Sequence, residues 1–193
     1  MKELCERIIA SNEVFSGRLL RVRVEEVALP DGERAQREVV YHPGAIAVVP
    51  LLESGDVVMV RQFRLPTGKA LLEIPAGVLE EGEAPEECVE RELSEEIGMR
   101  PGRLDRLCSI YLAPGYSSEV IHLFLAGDLQ PAWAPKDEDE RLERVEVSVS
   151  EALRMIERGE IQDAKTIVGL LLATGRWAKM LGNEDKGVRD NGD

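Results

Sequence analysis

Between Glu80 and Glu96 the chain carries nine glutamates and a single arginine, Arg91. Like charges four residues apart destabilise a helix. Yet Val89, Leu93 and Ile97 recur every four residues, Pro85 suits a first helical turn, and Gly98 suits a C-cap. The spacing therefore predicts a helix over 84–97 with an apolar stripe facing the core. At about 100° per residue, Glu92, Glu95 and Glu96 share one sector beside that stripe. Their carboxylates then emerge at the edge of the core. A solvated acidic face is the usual reading of a charge run. Three hard oxygen donors so placed instead suit Mg²⁺ or Mn²⁺, and a cation offsets their repulsion.

Around this helix the pattern is mixed. Leu20–Val24 alternates as a half-buried strand does, Pro30-Asp31-Gly32 marks a turn, and 37–41 reads as a second strand. His42-Pro43-Gly44 breaks it, and 45–52 is an apolar, β-branched run of the buried-strand type. Glu53-Ser54-Gly55-Asp56 predicts a hairpin into 57–63. Leu71–Ile74 is a short strand ended by Pro75-Ala76-Gly77. Strands resume near 104–112, 119–126 and 145–149, and helical patterns cover 150–158 and 163–181. The expected class is α+β, an α/β/α sandwich with a mixed β-sheet and an N-terminal β-strand extension. The expected units are the extension at 1–42, the main domain at 43–181 and a disordered polar tail at 182–193.

The chain has 193 residues and a formal net charge of −13. That charge argues against nucleic acid or an anionic membrane as partner, since both attract basic surfaces. A nucleotide held through metal ions remains compatible with it. Cys5, Cys88 and Cys108 form no CxxC pair, which fits reduced thiols. No signal-peptide h-region or membrane-length apolar run is visible, so a cytoplasmic location is expected.

Gly77, five residues, Glu83, seven residues and then Arg91-Glu92-Leu93-Ser94-Glu95-Glu96-Ile97-Gly98-Met99 resembles the Nudix box at every defined position. The resemblance implies a loop–helix–loop metal site that hydrolyses a nucleoside diphosphate linked to another group. Glu92, Glu96 and the Ala76 carbonyl would be metal ligands, and Glu95 would hold a second ion or a water. Arg91 cannot ligate a cation, and its implied role in the machinery is to pair with Glu83 and orient the loop.

Val60–Arg64, Leu72–Gly77, Ala113-Pro114-Gly115 and Asp163–Thr166 look like the ADP-ribose pyrophosphatase branch. One departure is Ala113, where many relatives have serine. The implied reaction is Mg²⁺-dependent cleavage of ADP-ribose to AMP and ribose 5-phosphate. The alternatives are another nucleoside diphosphate sugar such as GDP-mannose, or a non-catalytic nucleotide-binding regulator. Arg64 is either a cation facing the phosphates or a surface arginine, and Arg61 is a weaker candidate expected on the same strand face. Glu119 matches a substrate-contacting glutamate of the branch, with Pro114 and Gly115 in the loop before it. Arg37, Glu38 and Phe15 match adenosine-side positions, although Phe15 equally suits a core aromatic. Tyr116 is a candidate cover for the site, and His42 and His122 read as structural.

Carboxylates tied to metal are poor bases. In the resembling enzymes a second acidic loop supplies the base when it closes. Here Asp137-Glu138-Asp139-Glu140 is that loop, with Glu138 as base and Glu140 as occasional metal ligand; a solvated acidic loop is the alternative. The branch is dimeric, its N-terminal strands helping to form the partner's adenosine site, so a homodimer is expected.

Overall fold

The computed structural model describes residues 4–133, 141–176 and 180. In chain order the elements are β1 (Arg7–Ser16), β2 (Arg21–Ala28), β3 (Arg34–Tyr41), β4 (Ala45–Pro50), β5 (Asp56–Arg64), β6 (Lys69–Glu73) and β7 (Ala76–Val78). Helix α1 (Pro85–Glu92) follows, then β8 (Met99–Arg100), β9 (Arg103–Tyr111), β10 (Val120–Gly127), β11 (Gln130–Pro131), β12 (Leu142–Ser148), α2 (Val149–Glu157) and α3 (Ala164–Thr174). A 3₁₀ turn at Leu65–Thr67 links β5 to β6.

The core is built on two sheets, ordered β7-β4-β10-β9 and β12-β5-β6. β4 and β10 run parallel and the other pairings in these sheets are antiparallel. Strand alternation sorts their side chains onto two faces. Ile46, Val48, Phe124 and Ala126 pack with Val89, Leu93 and Ile97 of the glutamate-rich segment. Ala47, Val49, Leu123 and Leu125 pack with Ala152 of α2 and with Leu170 and Ala173 of α3. β5 divides likewise, with Val58 and Val60 on the first side and Val57 and Met59 on the second. The result is an α+β fold with helices on both faces of a mixed sheet. Val89, Leu93 and Ile97 are all buried. Burying such side chains stabilises the fold by about 1.5–3 kcal/mol each, which anchors a helix that its own charges disfavour.

β1, β2 and β3 form a separate antiparallel sheet. It is stitched to the main body at the end of β3. The Val40 N–H donates to the Tyr116 carbonyl at 2.7 Å, the Ser118 N–H to the Val40 carbonyl at 2.9 Å, and the His42 N–H to Ser118 Oγ at 3.0 Å.

Two expectations need correction. The 45–52/57–63 hairpin does not form: β4 and β5 lie in different sheets, joined by a single bridge, Leu51 to Val57. β4 spends its two edges on β7 and β10, and β5 on β12 and β6, so neither has an edge for the other. The strand before Pro75-Ala76-Gly77 does end there, β6 closing at Glu73, and Ala76–Val78 then starts a new strand, β7, paired with β4. The helix at 84–97 is not continuous α-helix. After Glu92 it widens into a π turn over Leu93–Ile97, closed by the Gly98 N–H donating to the Leu93 carbonyl. Gly98 adopts φ +68°, where a glycine is favoured. The turn re-aims Glu95 and Glu96 relative to Glu92, as π-bulges often do where side chains must be redirected.

Candidate active site

Glu92 and Glu96 are 9% and 5% exposed, rare values for carboxylates. They reach the backbone at Ala76–Gly77, the start of β7. Glu96 Oε2 accepts from the Ala76 N–H at 3.3 Å. A Cβ built on Gly77 would stand 1.8 Å from Glu92 Oε1, so only a glycine leaves room for that carboxylate. Gly77→Ala is accordingly expected to displace Glu92 and lower kcat at least about tenfold, in line with the cost of a small misplacement at a reacting centre. Steady-state kinetics beside a thermal melt checks this, since unchanged kcat would show that Glu92 has no need of the cradle.

Arg91 ties the segment together. Its Nε and Nη2 bond Glu83 at 2.8 and 3.0 Å, the pairing expected from the sequence. Nη1 bonds Glu92 at 2.6 Å and Glu95 at 3.2 Å, and Nη2 also reaches the Val78 carbonyl at 3.2 Å. The Arg91 hydrogen bonds hold the Glu83 carboxyl down at about 2, well under the usual carboxylate range. A lowered folded-state pKa means that the pair contributes stability above the unfolded carboxylate pKa. That stability is lost as pH falls toward about 2. Burial pushes the neighbouring Cys88 thiol up to about 12, so it is inert at neutral pH.

Among the described residues, no three His, Cys, Asp or Glu side chains stand grouped as a metal site in their present orientations. Glu92 and Glu95 turn to Arg91, and Glu96 turns to the Ala76 backbone. The donor set nonetheless fits a hard divalent cation. It comprises buried carboxylate oxygens, held beside a backbone strand by a glycine cradle.

A cavity of about 340 Å³ opens beside these groups. Ala76, Gly77 and Glu92 line it together with Arg64 and Glu119, which the sequence had nominated. Three further lining residues, Leu19, His42 and Lys165, had not been nominated for the site. His42 Nδ1 accepts the Gly44 N–H at 3.1 Å, and its Nε2 lies 4.0 Å from Glu119 Oε1. Its reading as a purely structural histidine therefore omits its place on the cavity wall. A backbone-bonded histidine carries no distinguishing signal in sequence.

Arg64 lies on β5 and forms a two-pronged pair with Glu73, Nε to Oε1 and Nη2 to Oε2, both at 2.9 Å. That hydrogen bonding raises the Arg64 pKa above its ordinary value. Burial alone would raise the Glu73 carboxyl, but the Arg64 hydrogen bond and the Lys165 charge outweigh it and leave the pKa lowered. Arg61 does not share the Arg64 face. It stands three residues away, so alternation turns it to the other side, where its Nε pairs with Glu143 of β12 at 3.3 Å.

A second cavity, about 370 Å³, is lined by Arg37, Pro114 and Gly115 with Tyr116 and Glu6. Arg37 pairs there with Glu6 at 2.6 Å. Glu38 is exposed on β3 and lines neither cavity. Phe15 is 56% exposed on β1, so it is not a core aromatic. His122 lies with Ser109 and Arg106, outside both linings. Glu138 and Glu140 lie outside the described residues, as does the 182–193 tail. No helix among the described residues is long and apolar enough to cross a membrane.

Comparison with known proteins bears on the same segments. The NUDIX domain model matches residues 40–168, and a nucleoside diphosphate sugar hydrolase N-terminal domain model matches residues 6–40. An ADP-ribose pyrophosphatase of Bacillus subtilis (strain 168) is 44% identical over 86% of this chain and 91% of its own length. A methanol dehydrogenase activator of Bacillus methanolicus is 40% identical over 86% and 90%. A GDP-mannose pyrophosphatase of Cronobacter sakazakii is 37% identical over 86% and 91%. A solved structure described as an ADP compounds hydrolase superposes with a TM-score of 0.81 at 25% identity, covering 95% of this chain and all of that one.

Proposed function

The chain belongs to the NUDIX family, and we propose that it hydrolyses the pyrophosphate bond of ADP-ribose, giving AMP and ribose 5-phosphate. One observation carries the reading: a single cavity gathers Glu92 and the Ala76–Gly77 backbone with the Arg64 cation. A pyrophosphate asks for that mixture, with a cation for its fixed charge and carboxylates to hold metal. The likeness to the Bacillus subtilis enzyme supports ADP-ribose as the sugar nucleotide.

Enzymes of this family are generally dependent on divalent metal, and we take the ion to be Mg²⁺, with Mn²⁺ as a substitute. Glu92, Glu96 and the Ala76 carbonyl would hold it, joined by Glu140. Such an ion neutralises pyrophosphate charge and lowers the pKa of an attacking water. The other steps belong to the chain. Arg91 holds Glu83, Glu92 and Glu95 and keeps the loop and helix in register. Arg64 meets the phosphates from the β5 side. Glu119, with His42 behind it, faces the sugar nucleotide from the position just before β10. Glu138 takes the proton from water.

We further assign residues 1–42 as a dimer-forming unit that brings Arg37, Glu38 and Phe15 toward the partner's adenosine, with 43–181 as the catalytic unit. The exposure of Ile8, Val14 and Phe15 on β1 supports this. Light scattering at micromolar concentration should give twice the chain mass, and a monomer would remove the assignment. Three free cysteines fit a reducing cytoplasm.

A substrate panel tests the choice of substrate. Purified protein with Mg²⁺ is offered ADP-ribose, GDP-mannose and other nucleoside diphosphate sugars, and product phosphate is read after phosphatase coupling. ADP-ribose should give the highest kcat/KM. Preference for GDP-mannose would move the chain to the activity named for its Cronobacter relative.

A further inference from the structure

Lys165 belongs to no catalytic set considered so far, yet its side chain lines the cavity that holds Arg64 and Glu92. Its place is fixed by the way α3 begins. Asp163 caps the helix, accepting from the Thr166 N–H at 3.0 Å and the Thr166 hydroxyl at 2.6 Å. Thr166 Oγ1 in turn accepts the Ile74 N–H at 2.9 Å, which fastens the first turn of α3 to the end of β6. Gly169 lets the helix close on that strand, since a Cβ there would lie 2.9 Å from Ile74 Cδ1. Lys165 is thereby carried to Glu73, the residue before Ile74. Its ammonium bonds Glu73 Oε2 and pairs with Asp163 Oδ2 at 3.0 Å.

Glu73 is 1% exposed, and the carboxylate that receives Lys165 is the one gripped by both arms of the Arg64 guanidinium. A buried carboxylate with one cation would be free to rotate with it. Held from a second side by a lysine on a different element, it becomes a fixed docking plate for the guanidinium. Arg64 Nη1 has no hydrogen bond among the described residues and is left for a ligand.

We propose that Lys165 is a positioning residue for the phosphate-binding arginine: it locks Glu73, and Glu73 sets the guanidinium plane of Arg64 toward an anionic diphosphate in the cavity. This deepens the proposed function and rests on it. The relay acts on substrate capture, away from the group that takes the proton, so its loss appears in KM more than in kcat.

The test is a double-mutant cycle on the full chain with Mg²⁺ and whichever sugar nucleotide the wild type hydrolyses best. Lys165→Met should raise KM roughly tenfold, the value of one charge-assisted hydrogen bond, with kcat within about threefold. Arg64→Met should raise it at least as much. Adding Lys165→Met to Arg64→Met should then change KM less than about twofold, because the guanidinium it positions is gone. Lys165→Gln, which keeps a donor to Glu73, should recover part of the loss and takes the place of Lys165→Met if that variant fails to fold. Multiplicative effects in the double variant, or a Lys165 defect confined to kcat, would overturn the relay while leaving the hydrolase reading standing. A wild-type protein that hydrolyses no sugar nucleotide would overturn both.

Discussion

Glu96→Gln is expected to keep the fold and lower kcat at least ~100-fold, the size of effect produced by removing about 3–4 kcal/mol of oriented charge stabilisation. The substitution preserves side-chain size and leaves an oxygen for the Ala76 N–H, which Glu96 Oε2 now accepts at 3.3 Å. What it removes is the charge of a carboxylate that is only 5% exposed and stands one helical turn from Glu92. A charge kept so far out of water is costly unless a cation meets it. The Arg64 charge acts on Glu96 within the fold. The variant should melt no lower than wild type, because deleting one member of a like-charged cluster relieves repulsion. Turnover like that of wild type would remove Glu96 from the metal site.

The second large effect is expected at Glu138. A base acts once substrate and metal are in place, so Glu138→Gln should cut kcat by ~10²–10⁴-fold, the usual worth of a general base. ADP-ribose affinity should stay nearly unchanged, because the proposed reading gives binding to Arg64 and the metal and not to the base. Glu140→Gln is the companion variant, expected to show a defect that extra Mg²⁺ partly rescues. The reverse pattern would shift the base by two residues to Glu140. No effect at either position would return the role to the helix, with Glu95 first. Its carboxylate already lies 3.2 Å from Arg91 Nη1.

Where apolar periodicity is strong, sequence and structure agree in detail. Val89, Leu93 and Ile97 are buried as their spacing requires, and Ala45–Pro50 of the 45–52 run form a strand covered on both faces. β1 was not anticipated, because nearly all of Arg7–Ser16 is exposed and two register shifts interrupt its pairing. A strand wet on both faces has no reason to alternate. The turn at 53–56 was legible and its consequence was not, because sheet membership depends on which edges are already occupied. The π turn was invisible for a related reason: Leu93–Ile97 differs from an α-helical turn in hydrogen-bond register and not in composition. For the site, glutamate and glycine spacing revealed the carboxylate edge. The opposite contributors, His42 and Lys165, come from distant segments that meet only in the folded cavity.

The central claim is that this cavity performs metal-dependent cleavage of a sugar nucleotide pyrophosphate. The direct measurement is product analysis of ADP-ribose incubated with the purified full chain, once with Mg²⁺ and once with excess EDTA. Equimolar AMP and ribose 5-phosphate with Mg²⁺, and no turnover in EDTA, is the predicted result. Undiminished turnover in EDTA, or intact ADP-ribose in both samples, would contradict the account.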